Sequence, residues 1–194
     1  MRHADGVTTI EDETAGRGRV IVVAGPVAAG KTTLAHAVVV ALGELGLTAA
    51  AIELDLVYER LDLAGGPKDD PELWSRSRWA AGAFANALLD TGTDVVVVEG
   101  DLLRDGERAE LSAALGGDVR PVYVTLTVPL ATATERTAAD PTRERSRDPE
   151  WLAQDFAGLE AALAARPAGE LVIDTGAVAV DAAVRAVIDA MERA

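Results

Sequence analysis

The stretch from Val20 to Leu42, VIVVAGPVAAGKTTLAHAVVVAL, is the feature of this sequence that most restricts its fold. An unbroken apolar run ends at Gly25, a short loop bounded by glycines comes next, and a helical pattern begins at Lys31. A near-continuous apolar run is typical of a parallel strand that is covered on both faces. The stretch therefore predicts a buried strand, a turn and a helix, which together form one unit of an α/β fold.

Along the rest of the chain, short β-branched runs alternate with longer helical patterns. The predicted strands are Arg19–Ala24, Ala49–Leu54, Asp94–Glu99, Val119–Thr127 and Glu170–Asp174. The predicted helices are Lys31–Leu45, Pro71–Thr91, Arg104–Leu115, Leu130–Ala138, Pro149–Ala165 and Val180–Arg193. This alternation predicts a single α/β domain with a five-stranded parallel sheet and helices on both faces.

Several helix ends are marked by single residues. Asp70 and Asp148 each precede a proline and are predicted to cap the helices that begin there. Gly46, Gly92 and Gly116 follow periodic segments, where a left-handed closing residue is favoured. These signals predict where the helices begin and end.

The length of 194 residues favours one domain. We predict a flexible N-terminal tail over residues 1–18 and the folded domain over residues 19–194. The tail lacks the apolar core of a signal peptide, and no apolar run reaches the roughly 18 to 20 residues of a membrane-spanning helix. We therefore expect a soluble, cytoplasmic protein without a membrane partner.

The composition excludes several kinds of chemistry. The formal net charge of −14 argues against nucleic acid as a partner, because phosphate backbones are bound by basic surfaces. There is no cysteine, which excludes disulfides, thiolate metal sites and a cysteine nucleophile, and the presence of only two histidines argues against a histidine-rich metal site. The chemistry must come from carboxylates, hydroxyls, arginines and lysine.

The loop GPVAAGKT, Gly25 to Thr32, fits the pattern G-x-x-x-x-G-K-[ST] and lies between a predicted strand and a predicted helix. Its glycines let successive N–H groups form one concavity, and the helix N-terminus adds a positive field. Lys31 would neutralise phosphate charge, and Thr32 would offer a hydroxyl to Mg²⁺. The predicted nucleotide-binding residues are Gly25, Ala28, Ala29, Gly30, Lys31, Thr32 and Thr33.

Binding of a triphosphate leaves open what is done with it. Switch GTPases read guanine through an Asn-Lys-x-Asp segment, but the only asparagine, Asn86, lies inside a helical pattern and is followed by alanine. Motor ATPases need a longer chain for their additional elements. A compact kinase is the remaining interpretation.

In the order of its parts, the chain from Arg19 to its end resembles the P-loop small-molecule kinases, the group that contains shikimate, gluconate and adenylylsulfate kinases and chloramphenicol phosphotransferase. The phosphate loop is the specific motif in this resemblance. The resemblance implies Mg²⁺ and ATP as phosphoryl donor, and as acceptor a small molecule with a hydroxyl group. Either a metabolite or an antibiotic-like natural product is compatible with it, and the latter would make the protein a resistance kinase. The sequence lacks the triple-glycine turn of shikimate kinases, so the acceptor stays open.

The same resemblance implies roles for four carboxylates. An acidic residue after the second strand accepts the proton of the acceptor hydroxyl, and Asp55 lies at that position. Glu53, two residues earlier, is the alternative base or a substrate ligand. After the valines of the third strand, Glu99 matches the carboxylate that holds Mg²⁺ and Asp101 is a candidate substrate contact. A solvated turn is the alternative for each of them.

An arginine-rich segment, residues 136–149, resembles the lid of these kinases. Mobile arginines that close over the transferred phosphoryl group stabilise its charge and exclude water. Arg136 and Arg143 are the leading catalytic candidates by resemblance, ahead of Arg145 and Arg147, and the alternative is an exposed loop of ion pairs. Arg78, in the predicted helix Pro71–Thr91, is a candidate acceptor contact or a core-facing residue.

Two alternatives to a metabolite kinase stay open. One is a zeta-toxin-like kinase of a nucleotide sugar, which also combines a P-loop with a basic lid. The other is a regulatory module that hydrolyses ATP slowly and acts through a partner. The sequence does not indicate an oligomeric state.

Overall fold

The computed structural model describes residues 18–63, 65, 69–117, 119–166 and 169–194. Five strands are present in this part of the chain: β1 (Arg19–Ala24), β2 (Ala49–Glu53), β3 (Val95–Gly100), β4 (Val122–Thr127) and β5 (Leu171–Asp174). Seven α-helices accompany them: α1 (Lys31–Glu44), α2 (Leu54–Leu61), α3 (Pro71–Asp90), α4 (Asp105–Ala114), α5 (Leu130–Ala139), α6 (Pro149–Ala165) and α7 (Val180–Glu192). A single 3₁₀ turn, Arg145–Arg147, precedes α6. Of the predicted tail, only Gly18 lies within the described residues.

All strand pairs are parallel, and the strands lie in the order β2-β3-β1-β4-β5. The central strand β1 pairs with β3 on one side and with β4 on the other. At its carboxyl end Ala24 lies opposite Gly100 of β3 and Thr125 of β4. The predicted α/β fold with one parallel sheet is confirmed. The loops after β1 and β3 leave the sheet at the same level.

The core consists of two layers, one on each face of the sheet. Along β1 the side chains alternate between them, and Val20 to Ala24 are fully buried. Ile21 and Val23 pack into the layer formed with α1 and α7, while Val20 and Val22 pack into the layer formed with α3 and α4. Burial on both faces explains the near-continuous apolar run of this strand.

The predicted helix signals are borne out. Asp70 accepts hydrogen bonds from the N–H groups of Glu72 and Leu73, at 2.9 and 3.2 Å, and so caps α3. Asp148 caps α6 in the same way. The three predicted closing glycines adopt left-handed φ values of 83°, 92° and 79°. Most predicted boundaries agree with the structure within a residue.

The second strand and the segment after it require a correction. The sequence predicts a strand to Leu54 and no helix before Pro71, but β2 ends at Glu53 and α2 begins at once. The pattern from Leu54 to Leu61 is only two turns long, so it is too short for the helical period to be distinct. Asp55 consequently lies in the first turn of a helix.

The fourth strand is also shorter than predicted, because it begins after Pro121, which has no N–H to give to the ladder.

A buried ion pair ties α4 to the edge strand. The Arg108 guanidinium donates from its two terminal nitrogens to the Glu170 carboxylate, at 2.8 and 2.9 Å. Its Nε donates to the Leu102 carbonyl oxygen at 2.9 Å, and the Thr125 hydroxyl donates to Glu170. Burial opposes ionisation of Glu170, but these hydrogen bonds outweigh it and the pKa of Glu170 is lowered. The pair therefore fixes the chain just after β3.

Replacing Glu170 with glutamine tests this pair. A carboxylate whose pKa is lowered by folding contributes stability above its ordinary pKa of 4.5, and this stability is lost as the pH falls through the folded-state pKa. We expect Glu170→Gln to lower the free energy of unfolding by about 3 kcal/mol at pH 7, since it leaves a buried guanidinium without its counter-charge. Urea unfolding at several pH values should show this difference shrinking below pH 4.5.

The matched control is Glu72→Gln, because Glu72 pairs with Arg76 on the exposed face of α3. Its effect should stay below about 1 kcal/mol at every pH. A destabilisation by Glu170→Gln that is independent of pH would contradict the electrostatic origin of the effect.

None of the described helices is both long enough and apolar enough to cross a lipid bilayer.

Candidate functional site

The loop between β1 and α1 has the backbone geometry of a phosphate-binding turn. A Cβ at Gly25 would lie 2.8 Å from the carbonyl oxygen of Leu126, so no side chain fits there. Gly30 has a φ of 87° and Ala28 a φ of 60°, both left-handed. Helix α1 has no side-chain cap at its N-terminus, so its first N–H groups are open to an anion. The predicted nucleotide residues therefore form one concave turn.

Lys31 lies over this turn. Its Nζ donates to the carbonyl oxygens of Gly25 and Pro26, at 3.0 and 3.1 Å. The ammonium is thereby held at the mouth of the loop, next to the uncapped helix end. A compact ammonium with three donors suits this position better than a planar guanidinium does, and this explains a lysine in a chain whose basic residues are almost all arginine.

Thr32 and Glu99 join the phosphate loop to the end of β3. The Thr32 hydroxyl donates to Oε1 of Glu99 at 2.9 Å, and Glu99 is only 4% exposed. Burial raises the pKa of Glu99, against the opposing effects of the Lys31 ammonium and the Thr32 hydroxyl. The two residues predicted to hold the metal are thus brought together.

This pair fits Mg²⁺. A hydroxyl and a carboxylate offer hard oxygen ligands, and Mg²⁺ usually takes one or two protein ligands and completes its shell with phosphate oxygens and water. Within the described ranges no three acidic, histidine or cysteine residues are gathered as a metal cluster. Thr32 and Glu99 would therefore share the ion with a bound triphosphate.

The two candidate bases lie beside Glu99. Glu53 lies opposite Glu99 in the register of β2 and β3, and Asp55 follows two residues later, so the three carboxylates belong to the carboxyl edge of the sheet. Glu53 also forms a hydrogen bond with Nε2 of His36, on α1, at 3.0 Å. Asp55 is exposed in the first turn of α2. Glu53 thus contacts another helix, and both carboxylates lie at the end of β2.

Asp101 follows β3 directly, and its side chain is 51% exposed. Arg104, the N-terminal residue before α4, pairs with Glu107 at 2.7 Å and lies 3.9 Å from Asp101. Because Arg108 holds the Leu102 carbonyl oxygen, this short loop is anchored from below. The backbone of this loop therefore keeps Asp101 close to Glu99.

The predicted lid comprises the end of α5, a turn, the 3₁₀ turn and the start of α6. Arg136 does not project from it. Its guanidinium donates to the Ala28 carbonyl oxygen at 3.0 Å and to the carbonyl oxygen of Thr175 at 2.7 Å, so it binds the phosphate loop to the loop after β5. Arg143 is 38% exposed and pairs with Asp140 at 3.1 Å. Arg145 approaches Asp69 at 3.7 Å and stacks on the Trp151 ring.

Arg78 contributes to the packing between helices. Its Nε donates to the Glu110 carboxylate on α4, and its side chain is 11% exposed. Trp74, on the same helix, stacks on the buried ring of Tyr58 with centroids 4.3 Å apart. These contacts join α3 to α2 and α4, and nothing in them directs Arg78 toward the phosphate loop.

Two residues of this region are not marked by the sequence. Asp155 of α6 has a buried carboxylate oxygen, Oδ2, without a hydrogen-bond partner among the described residues, and burial raises its pKa. Its helix has the pattern of an ordinary surface helix after the lid, and no local pattern distinguishes one of its carboxylates. Arg104 likewise has the pattern of a helix start. Leu152 of α6 lies in the same buried cluster as Ala28 and Ala29 of the phosphate loop, and this packing of distant elements is not visible in the sequence.

The chain belongs to the AAA domain family, whose profile matches residues 20–150. This confirms the P-loop resemblance at the level of the family. The comparison with curated proteins found no match.

Solved structures show the same fold. APS kinase from Mycobacterium tuberculosis, in complex with AMPPNP and APS, is 20% identical with a TM-score of 0.66, and the match covers 91% of this chain and 98% of that one. A gluconokinase from Sinorhizobium meliloti 1021 is 23% identical with a TM-score of 0.59, covering 92% and 93%. The tunicamycin resistance protein of Deinococcus radiodurans is 18% identical with a TM-score of 0.59, covering 89% and 95%. The fold is therefore that of P-loop kinases.

The metal role of Glu99 can be tested with Glu99→Gln, which keeps the acceptor oxygen for Thr32 but removes the charge. With Mg²⁺ present, we expect the affinity for a non-hydrolysable ATP analogue to fall by about tenfold or more, because loss of a metal partner weakens the metal-bridged contact. In EDTA the affinity should be the same in both proteins. Isothermal titration calorimetry under the two conditions measures the difference.

Glu44→Gln, an exposed change at the far end of α1, is the isosteric control and should leave both affinities unchanged. If Mg²⁺ improves binding equally in Glu99→Gln and in the unaltered protein, Glu99 does not act on the metal.

Proposed function

We propose that this protein is a kinase that transfers the γ-phosphoryl group of ATP to a hydroxyl group of a small molecule. The observation that carries the proposal is that Asp55 begins α2 two residues after Glu53, which lies opposite Glu99 of the Thr32–Glu99 pair at the carboxyl edge of the sheet. A carboxylate on that edge can reach a hydroxyl that is placed in line with a triphosphate on the loop. The family membership and the fold of P-loop kinases support the same conclusion.

In the proposed reaction the phosphate loop and Lys31 hold the β- and γ-phosphates, while Asp55 accepts the proton of the acceptor hydroxyl. The acceptor oxygen forms a bond to the γ-phosphorus as the bond to the bridging oxygen breaks, which leaves ADP and a phosphate ester. Mg²⁺ held by Thr32 and Glu99 would neutralise charge on the phosphate oxygens. The protein mainly contributes position and electrostatic stabilisation.

We assign the base to Asp55 rather than to Glu53. Glu53 is 24% exposed and is engaged with His36, so moving it toward an acceptor would break that contact. Asp55 lies one residue beyond the strand, in a helical first turn that faces solvent. Its exposure makes it accessible to an acceptor that enters from solvent.

The lid arginines are proposed to close over the γ-phosphoryl group. Arg143 and Arg145 pair with exposed or half-exposed carboxylates, and such ion pairs are worth little, so a bound triphosphate can compete for the guanidinium groups. Arg136 is given a different role, because its donors are already used on the backbone around the phosphate loop. It would hold the nucleotide-binding loops together.

The experiment that tests the function is a phosphate-transfer screen with Mg·ATP against alcohol metabolites, nucleosides, nucleotide sugars and hydroxylated antibiotics. We expect a phosphorylated product from one of these panels. A nucleotide-sugar product would identify the zeta-toxin-like alternative. ATP hydrolysis without a phosphorylated product from any panel would contradict the proposal and favour a regulatory ATPase.

Asp55→Asn separates binding from chemistry. We expect it to leave the affinity for ATP nearly intact and to lower kcat for transfer by about 10² to 10⁴, the usual contribution of a general base. Single-turnover transfer and calorimetric ATP binding measure the two effects. Glu53→Gln is the matched control and should retain most of the transfer; the opposite ranking of the two variants would move the base to Glu53.

A further inference from the structure

A cavity of about 800 Å³ lies at the amino edge of the sheet, where β1, β4 and β5 begin. The phosphate loop follows the carboxyl end of β1, so this cavity and the candidate active site lie at opposite edges of the sheet. A volume of this size is typical of sites that hold small molecules. The cavity is therefore separate from the site described above.

Positive side chains from four different elements line the cavity. Arg19 begins β1, Arg120 precedes β4, Arg193 follows α7, and Arg108 lies on α4. Among the described lining residues, Glu170 is the only acidic side chain. In a protein with a formal net charge of −14, four arginines beside one carboxylate make this cavity locally positive.

The four arginines differ in whether they already have a counter-charge. Arg108 is buried and donates from both terminal nitrogens to Glu170, so this pair is closed to a ligand. The other three, Arg19, Arg120 and Arg193, are exposed, and no ion pair joins any of them to another described residue. Three guanidinium groups without a counter-charge thus line one cavity.

The rest of the lining suits a small organic molecule. The Tyr123 ring lies beneath the Arg108 guanidinium, 4.5 Å from ring centroid to carbon, and Val122 and Leu171 add apolar surface. A guanidinium presents its N–H groups as a planar fork that matches the oxygens of a phosphate or a carboxylate. The cavity therefore combines an apolar wall with separate donors for several anionic oxygens.

We infer that this cavity is a second binding site, and that its ligand is a small molecule with at least two anionic groups. The three unpaired guanidinium groups come from different elements, so one monovalent anion would leave most of their charge without a partner. Phosphate and carboxylate groups share the required chemistry. This inference goes beyond the proposed kinase function and does not depend on it.

Anion binding away from the phosphate loop tests the inference. Calorimetry is carried out on the full chain with Lys31→Ala, which removes the ammonium of the phosphate loop, and without Mg²⁺. The probes are pyrophosphate and citrate, with formate as the monovalent comparison. We expect one pyrophosphate or citrate per chain and at least tenfold weaker binding of formate, because a single charge engages fewer guanidinium groups. The unaltered chain saturated with a non-hydrolysable ATP analogue should give the same result.

The double variant Arg120→Gln with Arg193→Gln assigns the binding to the cavity. We expect it to weaken the affinity for the multivalent probe by about tenfold or more, since charge-assisted hydrogen bonds are lost. The matched control is Arg60→Gln with Arg185→Gln, which removes two exposed arginines that do not line this cavity. It changes the net charge equally and should leave the affinity nearly unchanged. The melting temperature of each variant checks that it is folded.

The inference would be overturned if neither multivalent probe binds, or if formate binds as tightly as they do. Equal weakening by the two double variants would also contradict it, because the net charge and not the cavity would then explain the binding. Tighter binding of pyrophosphate than of citrate would assign phosphate groups to the ligand, and the reverse order carboxylates. No phosphoryl transfer is measured, so failure of this test leaves the kinase proposal unaffected.

Discussion

Strand β1 is buried on both faces and paired on both edges, and the position of each group in the candidate site depends on where this strand ends. The parallel register sets Ala24 level with Gly100, so the loop after β1 and the carboxylate at the end of β3 meet without any long connection. The Thr32–Glu99 hydrogen bond is the result. The lack of space for a Cβ at Gly25 has the same cause, because the phosphate loop passes directly over β4.

The site concentrates negative charge where burial makes it costly. Glu99 is almost fully buried, and Asp55 and Glu53 act on it with the same sign. Such an arrangement costs folding free energy, because desolvation disfavours the charged form of Glu99 and its neighbours carry the same charge. A bound metal ion would relieve this cost. A grouping of carboxylates that repel one another does not stabilise the fold. It is better explained by a ligand that compensates their charge.

Local patterns were sufficient to predict much of the fold. The β-branched run of β1, the glycine-bounded loop and the aspartates before Pro71 and Pro149 each act over a few residues, so the sequence reveals them. Contacts between distant elements could not be predicted in this way. Helix α2 is too short for its period to show, and nothing in the sequence indicates that Leu152 of α6 joins the same buried cluster as Ala28 and Ala29 of the phosphate loop.

The roles of the individual arginines could not be assigned from composition alone. Arg108 and Arg136 each donate to a backbone carbonyl oxygen of a loop at the site, Leu102 in one case and Ala28 in the other. In the structure these two residues therefore hold loops in place. Arg143 and Arg145 pair with side chains that are themselves exposed, and such contacts are exchanged at little cost. We therefore propose that the arginines with the weakest contacts are the ones that close over a phosphoryl group.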